Sequence, residues 1–339
     1  MPGIRVMEIQ GTWSPDNIKL AERPVPEAGP GEVLVRIGAA SLNYRDYVMA
    51  SGGYGRRGGK LPLVPVSDGA GRVIAVGTGV TRAAVGDLVC PTFGQTWFSG
   101  PFREAHWSGT LGGPRDGIMQ ELMALSQEGV ARAPRHLDAV QAATLPCAAV
   151  TAWNAIVAQG RVKAGDVVLV QGTGGVSLFA LLFAKMHGAR VIATSSSDAK
   201  LERVRAMGAD HVVNYKTNPD WHKVAREVTG GAGVDLVVEV AGTLDASVRA
   251  VRTSGTLALI GVLAGATAQL GLGAIVTQNI RLQGVTVGSR ELFEDMARAM
   301  EVHGTKPPID EQRFEFEQVG AAIKALPAGR HFGKVCSRF

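Results

Sequence analysis

The segment Gly172-Thr173-Gly174-Gly175-Val176-Ser177 constrains this chain more than any other. It follows the β-branched run at 167–170 and opens the apolar stretch 176–186. A strand that turns sharply into a helix needs glycine where the backbone takes left-handed angles or another group approaches closely. The pattern then repeats. Apolar runs at 190–194, 211–213, 234–238, 257–261 and 282–287 alternate with helical segments at 198–207, around 221–228 and from Leu244. Near-continuous apolar strands separated by helices imply a parallel sheet wrapped on both faces, a doubly wound α/β fold. After Arg290, Leu292, Phe293, Met296 and Met300 recur at helical spacing.

The first 130 or so residues read differently. Strands are expected at 33–37, 70–76, 87–89 and 118–125, separated by long loops, so this part is mostly β. Residues 94–117 are rich in Gly, Trp, Pro and Ser without a period, and form a surface excursion. Its Trp97, Phe98, Phe102 and Trp107 fit three readings: a substrate lid, a packed lobe, or a subunit contact. The chain has 339 residues, and domains run to about 100–200, so two are expected.

With 46% hydrophobic and 19% charged residues, the chain can bury a full core. The net charge of +5 is spread without any block of roughly five like charges, which argues against nucleic-acid or membrane partners. The start, MPGIRVMEIQ, has no apolar signal core, and the apolar stretch at 178–184 is too short to span a bilayer. Cys90, Cys147 and Cys336 are widely spaced, so a disulfide framework is not expected and a reducing cytoplasm is. The final Cys336-Ser337-Arg338-Phe339 resembles a prenylation box only superficially, because Ser337 and Arg338 are not aliphatic; a closing strand near Val335 is expected instead.

A glycine turn placed between a strand and a helix suits a dinucleotide. The pyrophosphate sits at the helix N-terminus, where unbonded N–H groups and the helix dipole stabilise it. The cofactor set expected here is Gly172, Thr173, Gly174, Gly175, Val176 and Ser177, with Ser177 where the motif usually has its last glycine. Gly242, Gly261 and Val262, after the next strands of the series, are grouped with it. About 20 residues past the turn, NAD enzymes usually carry an acid for the ribose. Here stand Thr194, Ser195, Ser196 and Ser197, with Lys200 and Arg203 following. Hydroxyls and cations suit a 2′-phosphate, so NADP(H) is expected and NAD(H) is the alternative. In the competing reading the serines cap the next helix together with Asp198, and Lys200 and Arg203 are a solvated face.

Together with this turn, the segments at 40–46, 66–73, 85–89 and 145–151 resemble the medium-chain dehydrogenase/reductase family over essentially the whole chain. The likeness is strongest to its quinone oxidoreductase branch and to the zinc-type alcohol dehydrogenase-like proteins. The resemblance implies a catalytic GroES-like domain at 1–150 and 292–339, and a Rossmann-type dinucleotide-binding domain at 151–291. It also implies a homodimer joined through the last strands of the cofactor sheet, here 257–263 and 282–287. Zinc-dependent members hold their metal with a cysteine, a histidine and a further cysteine or acid; the matching positions here are Asn43, Ser67 and Cys147. One thiol with an amide and a hydroxyl is a poor zinc set, and the cysteine-rich loop of many relatives has no counterpart after Cys90, so no zinc is expected. Without a Lewis acid, hydride delivery to a quinone or an α,β-unsaturated carbonyl is favoured over alcohol dehydrogenation. By resemblance Asn43 and Thr151 line the nicotinamide side of the site and Asp46 orders the loop. Asn43 and the Tyr44 hydroxyl are the expected polarising groups, with Tyr54 a more distant candidate and packing the competing role for Tyr44. Two alternatives stay open: an alcohol or aldehyde dehydrogenase of the same family, recruiting a metal through Cys147 and Asp68 or none, and a non-enzymatic NADPH-binding structural or adaptor protein. His106, His136, His187 and His211 have no metal or triad spacing and read as surface or loop residues.

Overall fold

The computed structural model describes the chain apart from Met1, Pro2, Val262, Ala264 and Ala266, so Val262 of the expected cofactor set lies outside the described residues. The chain divides into two compact units, Met1–Val150 with Val287–Phe339, and Thr151–Thr286.

The first unit is built on an antiparallel-rich sheet. Its strands run in the order Ile309–Phe314, Lys334–Arg338, Glu32–Ser41, Asp68–Val76, Leu88–Pro91, Val130–Arg132, and Leu122–Ser126 also pairs with Glu32–Ser41. The long strand Glu32–Ser41 alternates buried and exposed positions, so Val33, Val35 and Ile37 reach the core. A hairpin that sequence pattern did not reveal, Ile4–Ile9 with Ile18–Arg23, adds Val6 and Ile9 to the same core. The strand expected at 118–125 begins only at Leu122. Ile118 is buried but irregular, because Gly117 presses against Val66 O, where a Cβ would sit 2.1 Å away. The closing strand is Lys334–Arg338, with Cys336 opposite Ser41 and fully buried.

In the excursion, Trp97 is buried and its ring meets Phe102 edge-on at 4.9 Å, while Phe102 meets Trp107 at 5.2 Å. Arg290 and Glu291 donate backbone N–H groups to Trp97 and Phe98 carbonyls, so the loop is tied to the start of the helix Arg290–His303. That helix buries Phe293, Met296 and Met300. The division into units therefore falls at Val287, ahead of the helix, rather than at residue 292.

The second unit carries a six-stranded parallel sheet among the described residues. The order is His211–Asn214, Arg190–Ser195, Val167–Gln171, Val234–Glu239, Val251–Leu259, Arg281–Gly284. Numbered within the unit this is 3-2-1-4-5-6, the doubly wound Rossmann order, and its switch point lies between Val167–Gln171 and Val234–Glu239. The central strand Val167–Gln171 is buried at every position, as a sheet covered on both faces requires. Gly175–Met186 lays Leu178, Phe179, Leu181 and Phe183 into the interior. The fifth strand starts at Val251 and ends at Leu259, earlier than the 257–261 expected, because the polar Arg252-Thr253-Ser254 hides its beginning. Gly261 thus lies beyond it. Likewise the last strand is Arg281–Gly284, not 282–287, since Val287 takes a left-handed φ of 42°. No helix among the described residues is long and apolar enough to cross a membrane.

Candidate active site and cofactor cradle

In the second unit the chain leaves Val167–Gln171 through Gly172, whose φ is +74°, a conformation costly for any residue with a Cβ. Gly172 N–H donates to Thr194 O at 2.8 Å, which fastens the turn to the neighbouring strand. Gly174 is the helix N-cap and makes no side-chain cap hydrogen bond; a Cβ built on it would meet nothing within 4 Å. An uncapped helix start beside open space is what a bound pyrophosphate needs. Ser177 is placed differently from Thr173 and Gly174. It is buried, and its hydroxyl donates to Gln171 O at 2.6 Å. Its Oγ closes the turn from beneath.

Ser195 ends its strand, buried, with Oγ accepting from Ser197 N–H at 3.4 Å. Ser197, not Ser195 or Ser196, caps the helix Asp198–Ala206 by accepting from Lys200 N–H. Lys200 is half-buried on the first turn and Arg203 is exposed. Asp198, the acid nearest this corner, accepts from Asn214 Nδ2 at 2.7 Å. Tyr215 was not singled out by sequence. Its N–H donates to Ser195 O at 3.0 Å and its side chain is exposed, so the backbone brings a fourth hydroxyl-bearing residue to the corner of Ser195, Ser196 and Ser197. The signal that could have found it is its place directly after the third strand.

A second feature missed in the sequence is the pair Gln171 and Glu239, which end the two strands flanking the switch point. Both are buried. Gln171 Nε2 donates to Glu239 Oε2 and to Ser247 Oγ, each at 2.9 Å. Glu239 Oε1 accepts from the N–H groups of Ala241, Gly242 and Thr243 at 3.0, 2.7 and 3.2 Å, and Ser247 Oγ donates to Oε2. The carboxylate thereby shapes the turn that holds Gly242, whose φ is +88°. An acid inside the apolar run 234–240 was the readable sign.

In the first unit the expected catalytic residues meet a denser network. Asn43 is the N-cap of the helix Tyr44–Ala50, and its N–H donates to Asp46 Oδ2 at 2.7 Å. Asp46 Oδ1 also accepts from Ser67 N–H at 3.3 Å and lies 3.7 Å from Arg45 Nη1. Ser67 Oγ donates to Asp68 Oδ1 at 2.9 Å, and Cys147 N–H donates to Asp68 Oδ2 at 3.0 Å. Val66, just before, is held at φ +72°, a strained angle for a β-branched residue. The tertiary fold adds Lys334, which is 2% exposed. Its Nζ donates to Leu42 O at 2.6 Å and Asn43 Oδ1 at 2.5 Å, and lies 4.0 Å from Asp68 Oδ2. Asn43, Asp46, Ser67, Asp68, Cys147 and Lys334 thus form one cluster. Tyr44 starts the same helix but is 42% exposed, its ring 5.9 Å from that of Tyr47. Tyr54 lies over the Arg45 guanidinium, 5.6 Å from ring centre to Cζ. Thr151 is buried in the short helix Val150–Trp153 and is counted with the second unit.

Burial dominates the cluster's acid–base behaviour. It pushes the Asp46 carboxyl up to about 6, against the pull of Arg45. It raises Asp68 as well, opposed first by Lys334. The Cys147 thiol is pushed up to about 12 by burial and then by the Asp68 charge, so it is a protonated thiol at neutral pH. A zinc ion needs three anionic or imidazole donors. The neutral amide and hydroxyl at Asn43 and Ser67 leave Cys147 as one such donor of the three, which does not fit that requirement, and the Lys334 ammonium already occupies the Asn43 oxygen.

A raised folded-state pKa has a definite sign in stability. Between pH about 4 and 6 the folded chain keeps a proton on Asp46 that the unfolded chain has released, so this contribution favours the fold at low pH and is lost as pH rises through about 6. A shift of roughly two units amounts to about 3 kcal/mol. In Asp46→Asn the stability difference from wild type should therefore change with pH across that window; parallel melting-temperature profiles would show that Asp46 does not titrate there.

A doubly wound sheet with an open glycine turn, together in one chain with a β unit carrying a polar cluster, is the make-up of a two-unit dehydrogenase or reductase. Residues 175–302 match the family described as zinc-binding dehydrogenase, and residues 29–135 the alcohol dehydrogenase GroES-like domain. A zinc-type alcohol dehydrogenase-like protein of Schizosaccharomyces pombe is 41% identical over 329 residues, 94% of each chain. An NADPH-dependent alkenal/one oxidoreductase of Arabidopsis thaliana is 28% identical over 318 residues, 92% of this chain and 73% of that one. Among solved structures, a putative alcohol dehydrogenase from Sinorhizobium meliloti 1021 superposes with a TM-score of 0.93 at 42% identity, covering 100% of this chain and 99% of the other. An NAD-dependent alcohol dehydrogenase superposes at 0.89 and 34% identity, with 99% of each chain covered. The chain belongs to the medium-chain dehydrogenase/reductase family of oxidoreductases.

Proposed function

We propose that the protein is an NADPH-dependent reductase of quinones or α,β-unsaturated carbonyls that works without zinc. The observation carrying this reading is the Lys334 ammonium hydrogen-bonded to Asn43 Oδ1 within a donor set unsuited to Zn²⁺. A dication at Asn43 would meet a fixed positive charge. An activated acceptor, unlike a simple alcohol, needs no Lewis acid to free a proton.

The open turn at Gly172, Thr173, Gly174, Gly175 and Val176 would hold the pyrophosphate, and Gly242 and Gly261 would shape the cradle further along the strand ends. Ser195, Ser196, Lys200, Arg203 and Tyr215 would meet the 2′-phosphate. Bound NADPH supplies the hydride. Asn43 Nδ2 donates to the acceptor oxygen as charge develops there, and the exposed Tyr44 hydroxyl is the second donor. Water supplies the proton that completes reduction. On this reading the first unit is the catalytic domain and the second binds the cofactor. A homodimer is proposed through Arg281–Gly284, an exposed edge strand whose neighbouring helix Leu272–Thr277 shows Leu272 and Val276 to solvent. The proposed site of action is the cytoplasm, and the partners are small molecules rather than nucleic acid or membrane.

The second reading, an alcohol dehydrogenase, is favoured by the names of the structural neighbours, one of them NAD-dependent. One experiment separates them. Chelator-treated protein is titrated with NADPH and NADH, then assayed on a quinone and enone panel and on primary alcohols. We expect NADPH to bind at least about tenfold more tightly, roughly 1.4 kcal/mol, and enones to turn over without added metal. Lys200→Ala with Arg203→Ala should erase that preference. Equal affinity for NADH, or alcohol oxidation restored by one zinc per chain, would overturn the reading. Cofactor binding with no turnover at all would leave a binding protein.

A further inference from the structure

We propose that Lys334 is the positioning residue of this site: its buried ammonium pins the Asn43 carboxamide with the oxygen inward, so that the amide nitrogen is presented as the hydrogen-bond donor to the acceptor. The inference rests on the reductase reading and deepens it.

Lys334 reaches the site from the opposite end of the chain. The turn at Gly333, with φ +79° and no room for a Cβ against Pro308 O at 2.3 Å, delivers it to the start of Lys334–Arg338. That strand pairs with the end of Glu32–Ser41, placing Lys334 beside Leu42 and Asn43. An ammonium has three donors and no acceptor. Here they face three acceptors: Leu42 O, Asn43 Oδ1 and the Asp68 carboxylate. An amide nitrogen could not occupy the place of Oδ1 without opposing donor to donor. The orientation of the Asn43 amide therefore follows from the ammonium.

The other side of the amide is poised differently. Asn43 Nδ2 reaches Ser67 Oγ at 3.5 Å, the long end of hydrogen-bond range. Ser67 spends its own proton on Asp68 at 2.9 Å, so its oxygen is left only to accept. The same amide also donates to the Asp68 carboxylate, which holds the nitrogen on the side opposite Lys334, and an acceptor oxygen would take the place of the long Ser67 contact. Hydrogen bonding of a cation to the amide oxygen also polarises the N–H groups and strengthens their donation. Charge is balanced within the cluster, Lys334 against Asp68 and Arg45 against Asp46. The positive charge is transmitted to substrate through Asn43, at the position where zinc-dependent relatives place a metal ligand.

The test uses Lys334→Met, Lys334→Gln and Asn43→Ala, singly and combined, in the full chain. Three quantities are read: kcat and KM for an enone, NADPH affinity by fluorescence, and the Asn43 side-chain NH₂ signals in NMR of cofactor-free protein. We expect Lys334→Met to lower kcat on the order of tenfold or more, with NADPH affinity unchanged. In the Asn43→Ala background the same change should cost almost nothing further. Without the ammonium the Asn43 amide should rotate several-fold faster about its C–N bond. Lys334→Gln, a neutral donor, should fall between the two, and serves if the methionine variant does not fold. Equal kcat losses with and without Asn43, or a lowered melting temperature with normal kcat and unchanged NH₂ signals, would overturn the proposal and leave Lys334 a structural charge. Should wild-type protein reduce no enone or quinone, the reductase reading fails, while unchanged NH₂ signals in the variants would still refute the pinning by themselves.

Discussion

Asn43→Ala should lower kcat for enone reduction by about 10²–10³, equivalent to roughly 3–4 kcal/mol, with little change in NADPH affinity. The size follows from what the side chain does. On the proposed reading, a preorganised N–H aimed at developing negative charge gives more to the transition state than to the ground state. Asn43→Asp is the sharper comparison. It keeps an oxygen for the Lys334 ammonium and an N-cap for the helix Tyr44–Ala50, yet it has no N–H to donate. Equal losses in both variants would mean that donation is what matters. Near-normal kcat in Asn43→Asp would remove Asn43 from the chemistry and leave it a cap.

The second large effect is expected in the cofactor unit. Glu239→Ala should lower the melting temperature by about 10 °C or more, from a loss of roughly 3–5 kcal/mol. Its carboxylate accepts from three consecutive backbone N–H groups and from Gln171 and Ser247. Truncation leaves those donors buried and unmatched, and each such group costs about 1–3 kcal/mol. The same change frees the turn at Gly242 and unties it from Gln171, the residue next to the glycine turn, so NADPH affinity should fall along with stability. Glu239→Gln should lose less, because its amide oxygen still accepts while its nitrogen faces Gln171 Nε2. An unaltered melting point in Glu239→Ala would mean that water replaces the carboxylate without cost.

The parallel sheet and its glycine turn were legible because both have local signatures. Fully covered strands read as unbroken β-branched runs, and a turn at φ +74° demands glycine whatever surrounds it. Strand ends were less legible. Polar residues at Arg252-Thr253-Ser254 concealed the start of the fifth strand, and the hairpin Ile4–Ile9 with Ile18–Arg23 is made only when two distant segments pair. The serine corner was visible as a run of hydroxyls, but only the fold separates the cap, Ser197, from Ser195 and brings Tyr215 alongside.

By itself, then, the sequence determined the doubly wound fold, the family and the absence of a cysteine–histidine zinc set at Asn43 and Ser67. What the tertiary structure alone decided is which groups surround those residues. Lys334 lies 291 positions from Asn43, and Glu239 lies 68 from Gln171. Contacts across such separations arise from strand pairing, which brings remote ends of the chain to adjacent strands. No period or spacing within the sequence records them, whereas a turn or an apolar face is dictated by residues a few positions apart.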